Sequence, residues 1–213
     1  MNEICDNDID NVKLAKSIAI EISRAIDPYT AYHLDNVSKI TKEIAVRVKD
    51  KFNLTDVQIE FLTIFSSLHD IGKIAIPNEV LYKTGKLTNT ERVMIETHPI
   101  IGKSIVDRAL VNSIYLEQAK PYLNILNDVV YSHHERIDGS GYPLGLKGDE
   151  VTPFTRIISM ADCFDAMTSD RAYRKPFPIE KAVQIIEGMV NDGALDRDCF
   201  NALLDIINTS AYN

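Results

Sequence analysis

The chain has 213 residues and a formal net charge of −8, with 31 Asp plus Glu against 23 Lys plus Arg. Its 45% hydrophobic and 25% charged residues are typical of a folded globular domain and exclude a disordered chain. The acidic balance argues against binding along a nucleic acid polymer, because neutralising phosphates needs an excess of Lys and Arg. No run reaches the roughly 18–20 apolar residues that span a bilayer, so we predict no membrane segment.

The termini and cysteines indicate a cytoplasmic protein. The acidic first residues lack the basic start and apolar centre of a signal peptide. The three cysteines form no Cys-x-x-Cys pair: Cys5, Cys163 and Cys199. We therefore predict reduced thiols in a reducing cytoplasm.

Helical periodicity dominates the first third of the chain. Apolar residues spaced three and four apart predict a helix at residues 12–26, which ends at Asp27-Pro28 because a residue before proline disfavours helical torsions. A second helix is expected at residues 30–51. A third begins behind the N-cap signal Thr55-Asp56 and is expected to continue to His69-Asp70.

The rest of the chain is also predicted to be helical, apart from one long loop. Thr88-Asn-Thr-Glu91 is a capping box in front of a helix. Further helices are predicted at residues 99–111, 119–132, 154–167, 179–191 and 197–207. Residues 137–153 hold four glycines and two prolines, which predicts a loop. Since no period-two run indicates strands, we expect an all-α bundle with one extended surface loop.

The five histidines stand beside acidic residues or beside one another: His33, His69, His98, His133 and His134. Adjacent helical residues point about 100° apart, so a pair such as His69-Asp70 can present ligands to neighbouring metals, with the carboxylate bridging. Imidazole with carboxylate suits iron, manganese, zinc or nickel more than magnesium or calcium. A single histidine is more often a core or surface residue. Their placement on several separate predicted helices, with almost no histidine elsewhere, is what favours a metal site.

Two motifs carry a family resemblance. His69-Asp70-Ile-Gly-Lys73 is similar to the H-D-x-G-K signature of the HD phosphohydrolase superfamily. Residues 133–143, His-His-Glu-Arg-Ile-Asp-Gly-Ser-Gly-Tyr-Pro, resemble the H-H-E-x-x-D-G-x-G-Y-P signature of its HD-GYP branch. Further matching segments follow in the family's order, from residue 27 to about residue 200. The resemblance implies an HD-type helical bundle with a Gly/Pro-rich GYP loop, in which residues 27–213 form the catalytic domain and residues 1–26 an N-terminal helix.

The resemblance also implies an activity. HD-GYP proteins are bacterial phosphodiesterases that hydrolyse cyclic di-GMP to pGpG and often on to GMP, and some prefer cyclic GMP-AMP. A phosphodiester is anionic and repels hydroxide. Two metal ions roughly 3.5–4 Å apart would supply a bridging hydroxide of lowered pKa and a clamp on the phosphoryl oxygens. We expect two divalent ions, iron first and manganese second. A third is not expected, because Tyr29 stands where trinuclear members carry a glutamate.

The resemblance assigns the site residue by residue. The ligands of one ion would be His33, His69, Asp70 and Asp162. The bridging Asp70 would share a second ion with His98 and His133, and His134 would be a further ligand or a donor beside them. The catalytic residues would be Asp70 and Lys73. The substrate-binding residues would be Lys73, Tyr142, Arg171 and Arg174. Asp165 would orient a metal-ligating histidine.

Partners and alternatives follow from the same resemblance. Beside the cyclic dinucleotide, a GGDEF-domain protein is expected to contact the GYP loop. The apolar stripe of residues 12–26 is a candidate face for a homodimer. Two alternatives stay open: a phosphohydrolase of another nucleotide such as cyclic GMP-AMP, and a catalytically silent module that binds a cyclic dinucleotide or a GGDEF domain. The sequence departs from the family at Asn36-Val37, where Arg-Val is common, and before His133, where the preceding segment is longer.

Overall fold

A computed structural model of the chain describes residues 28–111, 122–170 and 175–209. Within these ranges there are nine α-helices and no strand. The helices are α1 (Pro28–Arg47), α2 (Asp56–Phe65), α3 (Asn78–Leu81), α4 (Asn89–Glu96), α5 (His98–Val111), α6 (Leu123–Tyr131), α7 (Pro153–Thr168), α8 (Ile179–Asn191) and α9 (Arg197–Asn208). The all-α prediction is therefore confirmed.

Some predictions fall outside the described residues. These are the N-terminal helix at residues 12–26, the substrate-binding roles of Arg171 and Arg174, the segment at residues 112–121 and the thiol of Cys5. Tyr29 lies in α1, but its side chain is also outside the described part. No helix in the described ranges is both long and apolar enough to cross a bilayer.

The core lies between α1 and α7, which pack along each other while α2 covers α1. The inward faces carry aliphatic and aromatic side chains that are fully buried, such as Ile44, Phe61, Ile157 and Phe164. Each such side chain contributes about 1.5–3 kcal/mol by leaving water. This packing holds α1 and α7 at a fixed separation, so residues on their facing sides keep fixed distances.

Local capping sets where the helices begin. Thr55 accepts a hydrogen bond from the backbone of Gln58, whose side chain accepts one in return from Thr55. Thr88 and Glu91 form the same reciprocal pair in front of α4. Both predicted helix starts are confirmed, because each side-chain oxygen satisfies a backbone N–H that a helix leaves unpaired.

The predicted third helix is wrong beyond Phe65. The α-helical pattern ends there, and the chain continues through a 3₁₀ turn at Ser66–Leu68 and another at Ile71–Ala75. In the second turn, the backbone of Gly72 approaches α5 so closely that a Cβ atom would lie 1.9 Å from the carbonyl oxygen of His98. Direct backbone packing replaces the side-chain layer that usually separates two helices.

The last three helices match the predictions to within one or two residues, and α8 matches at both ends. Residues 132–152, between α6 and α7, contain one short 3₁₀ turn at Gly148–Glu150 and an isolated bridge between Asp138 and Lys147. Arg156 on α7 holds this segment, since its guanidinium donates to the carbonyl oxygens of Val151 and Gly148 at 2.8 and 2.9 Å.

Candidate metal centre

The seven predicted metal-ligating residues come from five parts of the chain and meet in one place. His33 lies on α1, Asp162 on α7 and His98 at the start of α5. His69 and Asp70 join the two 3₁₀ turns, and His133 and His134 follow α6. All except His134, which is partly exposed, are buried.

Four of these residues form what we call the His33 group: His33, His69, Asp70 and Asp162. The Nε2 atoms of His33 and His69 lie 3.2 Å apart. Oδ1 of Asp162 lies 3.2 Å from Nε2 of His33 and 3.7 Å from Nε2 of His69. Oδ2 of Asp70 lies 3.7 and 3.3 Å from the same two nitrogens.

The other set, the His98 group, consists of His98, His133, His134 and Asp70, whose ligand atoms all lie within 4.8 Å of one another. The Nε2 atoms of His98 and His133 are 3.2 Å apart. Oδ1 of Asp70 lies 3.3 Å from Nε2 of His98 and 3.9 Å from Nε2 of His133. Nδ1 of His134 also lies 3.9 Å from Oδ2 of Asp162, which links the two groups a second time.

Asp70 divides its carboxylate between the groups. Oδ2 faces the His33 group and Oδ1 faces the His98 group. Oδ1 is buried and has no hydrogen-bond partner. A buried carboxylate oxygen without a donor is costly, so its position facing imidazole nitrogens calls for a cation.

In three of the imidazoles, a hydrogen bond of Nδ1 fixes the ring orientation and the proton on that nitrogen, and leaves Nε2 for the ligand group. Nδ1 of His33 lies 2.5 Å from Oδ2 of Asp165. Nδ1 of His69 lies 2.7 Å from the carbonyl oxygen of Ser66, and Nδ1 of His98 lies 2.8 Å from that of Ile95. Since carboxylates and carbonyls only accept, each Nδ1 carries a proton, and each ring in its neutral form offers a lone pair at Nε2.

The donor set therefore fits metal ions. When both rings are neutral, the Nε2 atoms of His33 and His69, 3.2 Å apart, have no proton to share. Ligands about 2.1 Å from a common ion lie roughly 3.0–3.4 Å apart at octahedral and tetrahedral angles. The separations in both groups are close to that range, and the nitrogen and oxygen donors suit a transition metal.

The two carboxylates are ionised. Burial alone would raise the pKa of Asp70, but the ammonium of Lys73 and the imidazole of His69 outweigh burial and hold this pKa well below its usual range. Burial is likewise outweighed at Asp162, mainly by the hydrogen bond with His33, and its pKa is also held well below the usual range. Both side chains therefore carry the charge that a metal ligand needs.

The histidines of the His98 group are neutral. Burial lowers the pKa of His98, and burial with the neighbouring His134 holds that of His133 well below its usual value. Burial lowers the pKa of His134 to about 3. His69 differs, because the charge of Asp70 overcomes burial and raises its pKa. A metal ion would compete with protonation of Nε2 of His69, since the ion binds only the neutral ring.

Lys73 contacts the site directly. Its Nζ atom donates to Oδ2 of Asp70 at 2.6 Å. The 3₁₀ turn produces this contact, because residues three apart are nearly eclipsed along such a turn. Lys73, predicted as a catalytic and substrate-binding residue, therefore lies beside the carboxylate that both groups share.

Tyr142 covers the His98 group from the loop. Its ring lies 4.7 Å from that of His134 at 31°, and 6.5 Å from that of His98 in an edge-to-face arrangement. Burial, with the charges of Asp70 and Asp162, raises the pKa of Tyr142, so its hydroxyl stays protonated. The tyrosine predicted to bind substrate therefore stands at the metal site.

Glu135 is a residue whose role the sequence did not reveal. It follows the two histidines of the motif, but its buried carboxylate turns away from them and accepts the backbone N–H groups of Leu144 and Leu146 at 2.6 and 2.9 Å. The sequence signal for it is its place directly after the two histidines of the motif, which does not distinguish a metal-facing acid from one that holds a loop.

Comparisons with known proteins agree with this geometry. The family model of the HD domain matches residues 22–199. The 3'3'-cGAMP-specific phosphodiesterase 3 of Vibrio cholerae is 36% identical over 188 residues, which are 88% of this chain and 37% of that protein. The cyclic di-GMP phosphodiesterase of Thermotoga maritima is 37% identical over 168 residues, 79% of this chain and 42% of that one.

Solved structures share the fold. An HDG"Y"P protein from Bdellovibrio bacteriovorus superposes with a TM-score of 0.63 at 19% identity, over 95% of this chain and 66% of that one. The chain spans roughly two fifths of the length of the curated relatives described above. The chain belongs to the HD domain family, and the predicted resemblance is confirmed by a relative named a cyclic di-GMP phosphodiesterase.

Proposed function

We propose that this chain is a metal-dependent phosphodiesterase that hydrolyses cyclic di-GMP to pGpG, and pGpG on to GMP. The observation that carries the proposal is the divided carboxylate of Asp70, whose two oxygens face two separate histidine groups. A bridging carboxylate between two ligand sets is the arrangement that a two-metal hydrolytic centre requires. The names of the relatives, which describe phosphodiesterases of cyclic dinucleotides, support the substrate class.

We propose His33, His69, Asp70 and Asp162 as ligands of one ion. His98, His133, His134 and the shared Asp70 are proposed for the second. The bound ions would supply charge neutralisation of the phosphodiester and activation of the attacking water. Iron is our first proposal and manganese the second, because imidazole and carboxylate donors together suit both.

The chain's own residues prepare the site. Asp165 keeps the Nδ1 proton of His33 in place, so that Nε2 faces inward with its lone pair. Lys73 holds Asp70 ionised, and its ammonium is within reach of a phosphate oxygen beside that carboxylate. Tyr142 offers a protonated hydroxyl and an aromatic face above the His98 group. We propose that Arg171 and Arg174 contact phosphate or guanine, as the family resemblance implies.

Domain limits, partners and location belong to the same proposal. We propose residues 27–213 as the catalytic domain and residues 1–26 as an N-terminal helix that forms a homodimer contact. We propose the loop around Tyr142 as the contact for a GGDEF-domain protein. Cys163 and Cys199 are buried free thiols, which supports a reducing cytoplasm.

A second substrate has a specific observation in its favour. One of the similar relatives is named a 3'3'-cGAMP-specific phosphodiesterase, at 36% identity. Cyclic GMP-AMP presents the same cyclic diphosphate to the metals and differs in one base. Discrimination between the two therefore depends on base contacts and not on the metal ligands.

The test is hydrolysis of both cyclic dinucleotides by protein loaded anaerobically with Fe(II) or Mn(II). Products are separated by chromatography, and metal content is measured on the same samples. We expect turnover with about two ions per chain, and loss of both turnover and metal in Asp70→Ala, because its carboxylate serves both groups. Asp192→Ala is a matched control, since Asp192 is an exposed carboxylate after α8, outside both ligand groups and the loop of Tyr142.

Three outcomes separate the alternatives. Turnover of one dinucleotide at a far higher kcat/KM identifies the substrate. Two bound ions without turnover of either dinucleotide would contradict the phosphodiesterase proposal and favour a binding module. Turnover that survives in Asp70→Ala would contradict the proposed site.

A further inference from the structure

We infer that Glu135 is a positioning residue: its carboxylate holds the loop that sets Tyr142 against the His98 group, and through Tyr142 it controls substrate binding. This inference rests on the proposed function for its kinetic readout, but its structural premise can be tested on the metal-free protein.

Glu135 is placed to hold the loop on the far side of Tyr142. It is 1% exposed, and both carboxylate oxygens are used, one by the N–H of Leu144 and one by the N–H of Leu146. Hydrogen bonds to a buried charged acceptor are roughly twice as strong as neutral ones. Leu144, directly after Tyr142-Pro143, and Leu146 are therefore both tied to Glu135, the residue next to His134.

A second set of contacts ties the loop before Tyr142. Gly141 lies so close to the motif that a Cβ atom there would be 2.4 Å from the backbone nitrogen of Arg136 and from Cα of Glu135. The N–H of Tyr142 donates to the carbonyl oxygen of His134 at 3.3 Å. The loop thus folds back onto residues 134–136 on both sides of the tyrosine.

These restraints determine where the tyrosine ring lies. The ring packs on the imidazole of His134 at 4.7 Å and presents its edge toward His98. These backbone hydrogen bonds fix the distance between the loop and the His98 group. They also fix the position of the Tyr142 ring, because the ring is only two bonds from its Cα atom. If Glu135 lost one acceptor oxygen, the loop could rise and the ring would lose its fixed position above the site.

The decisive variant is Glu135→Gln, which keeps the volume but turns an NH₂ group against one of the two backbone N–H donors. Its matched control is Glu150→Gln in the same loop. The exposed carboxylate of Glu150 accepts a hydrogen bond of 2.9 Å from the N–H of Lys147, and this bond does not involve Tyr142 or its neighbours. Steady-state kinetics with the active cyclic dinucleotide are measured together with metal content.

We expect KM to rise about tenfold in Glu135→Gln, comparable to losing one hydrogen bond to a charged group. The kcat and metal content should change less than about twofold, since no ligand is touched. Tyr142→Ala should raise KM similarly, and adding Glu135→Gln to it should change KM less than about twofold further. A merely structural role for Glu135 predicts instead that the two effects multiply, and that result would overturn the inference.

A second readout does not need activity. In metal-free protein, nuclear Overhauser contacts between the rings of Tyr142 and His134 should be present in the wild type and in Glu150→Gln, and lost in Glu135→Gln. Amide exchange at Leu144 and Leu146 should accelerate in Glu135→Gln only. Retention of the ring contact in Glu135→Gln would refute the inference, whereas absence of turnover in the wild type would refute only the proposed function.

Discussion

The hydrogen bond between Asp165 and His33 allows a quantitative test of how the metal site is built. Oδ2 of Asp165 lies 2.5 Å from Nδ1 of His33, and its other oxygen accepts the hydroxyl of Ser169 at 2.7 Å. Both Asp165 and His33 are 1% exposed, so water cannot replace the carboxylate. Asp165 therefore keeps the Nε2 lone pair of His33 directed at the His33 group.

Removing this partner should weaken metal binding without touching a ligand. Loss of a partner that orients a ligating histidine costs roughly 10–100-fold in metal affinity, or about 1.4–2.8 kcal/mol. Asp165→Asn keeps an acceptor oxygen within reach of Nδ1, so we expect about a tenfold loss. Asp165→Ala leaves Nδ1 buried and unpaired, so we expect about a hundredfold loss.

The assay is anaerobic competition for Mn(II) between the protein and a chromophoric chelator. Asp128→Asn is the control, since Asp128 is another largely buried carboxylate that accepts a hydroxyl, that of Thr152 at 2.9 Å, away from both ligand groups. Wild-type affinity in Asp165→Ala would show that His33 needs no orienting carboxylate. An equal loss in Asp128→Asn would show that the effect is not specific to the site.

Three further predictions concern the two ligand groups, a buried acid and the packing beneath the site. His98→Ala should lower metal content from about two ions per chain to about one, measured by mass spectrometry of the metals, because only one group loses a donor; complete loss would contradict separate groups. Burial raises the pKa of Asp128 to about 6 from the ordinary 3.8. The folded protein therefore keeps the full stabilisation from protonated Asp128 below about pH 4 and loses it as the pH rises through 6. Urea unfolding should therefore show Asp128→Asn raising the free energy of unfolding by about 2 kcal/mol more at pH 8 than at pH 4, and a difference of the opposite sign would refute the shift. Gly72→Ala should unfold the protein or abolish metal binding, because the new methyl meets the backbone of α5 at 1.9 Å. Gly102→Ala should cost no more than about 3 kcal/mol in thermal denaturation, because its one contact under 3.0 Å is a side-chain methyl of Val130 at 2.8 Å, while the backbone nitrogen of Gly72 lies at 3.4 Å.

Local signals were sufficient to predict most of the helices. Capping residues such as Thr55 and Thr88 mark helix starts through hydrogen bonds to residues three positions away, so neighbouring sequence contains the whole cause. The limits of α8 follow equally from its apolar periodicity. The prediction failed after Phe65, because the helix expected to continue to His69-Asp70 changes to a 3₁₀ turn at Ser66–Leu68. In the next turn Gly72 packs closely against α5, which lies about thirty residues away along the chain, and such a contact cannot be read from neighbouring sequence.

The sequence by itself predicted which residues would make the candidate site, through a family resemblance that extends from the two motifs to His33, His98 and Asp162. Tertiary structure decided how they are divided. The two oxygens of Asp70 face different groups only because α1, α5 and α7 and the turn after α6 approach Asp70 from different sides. The direction of Glu135 was likewise decided by the fold, since its acceptor oxygens follow the backbone of a loop nine and eleven residues further on. Distances between side chains that are remote in sequence depend on how the helices pack, and the local pattern of residues does not determine that packing.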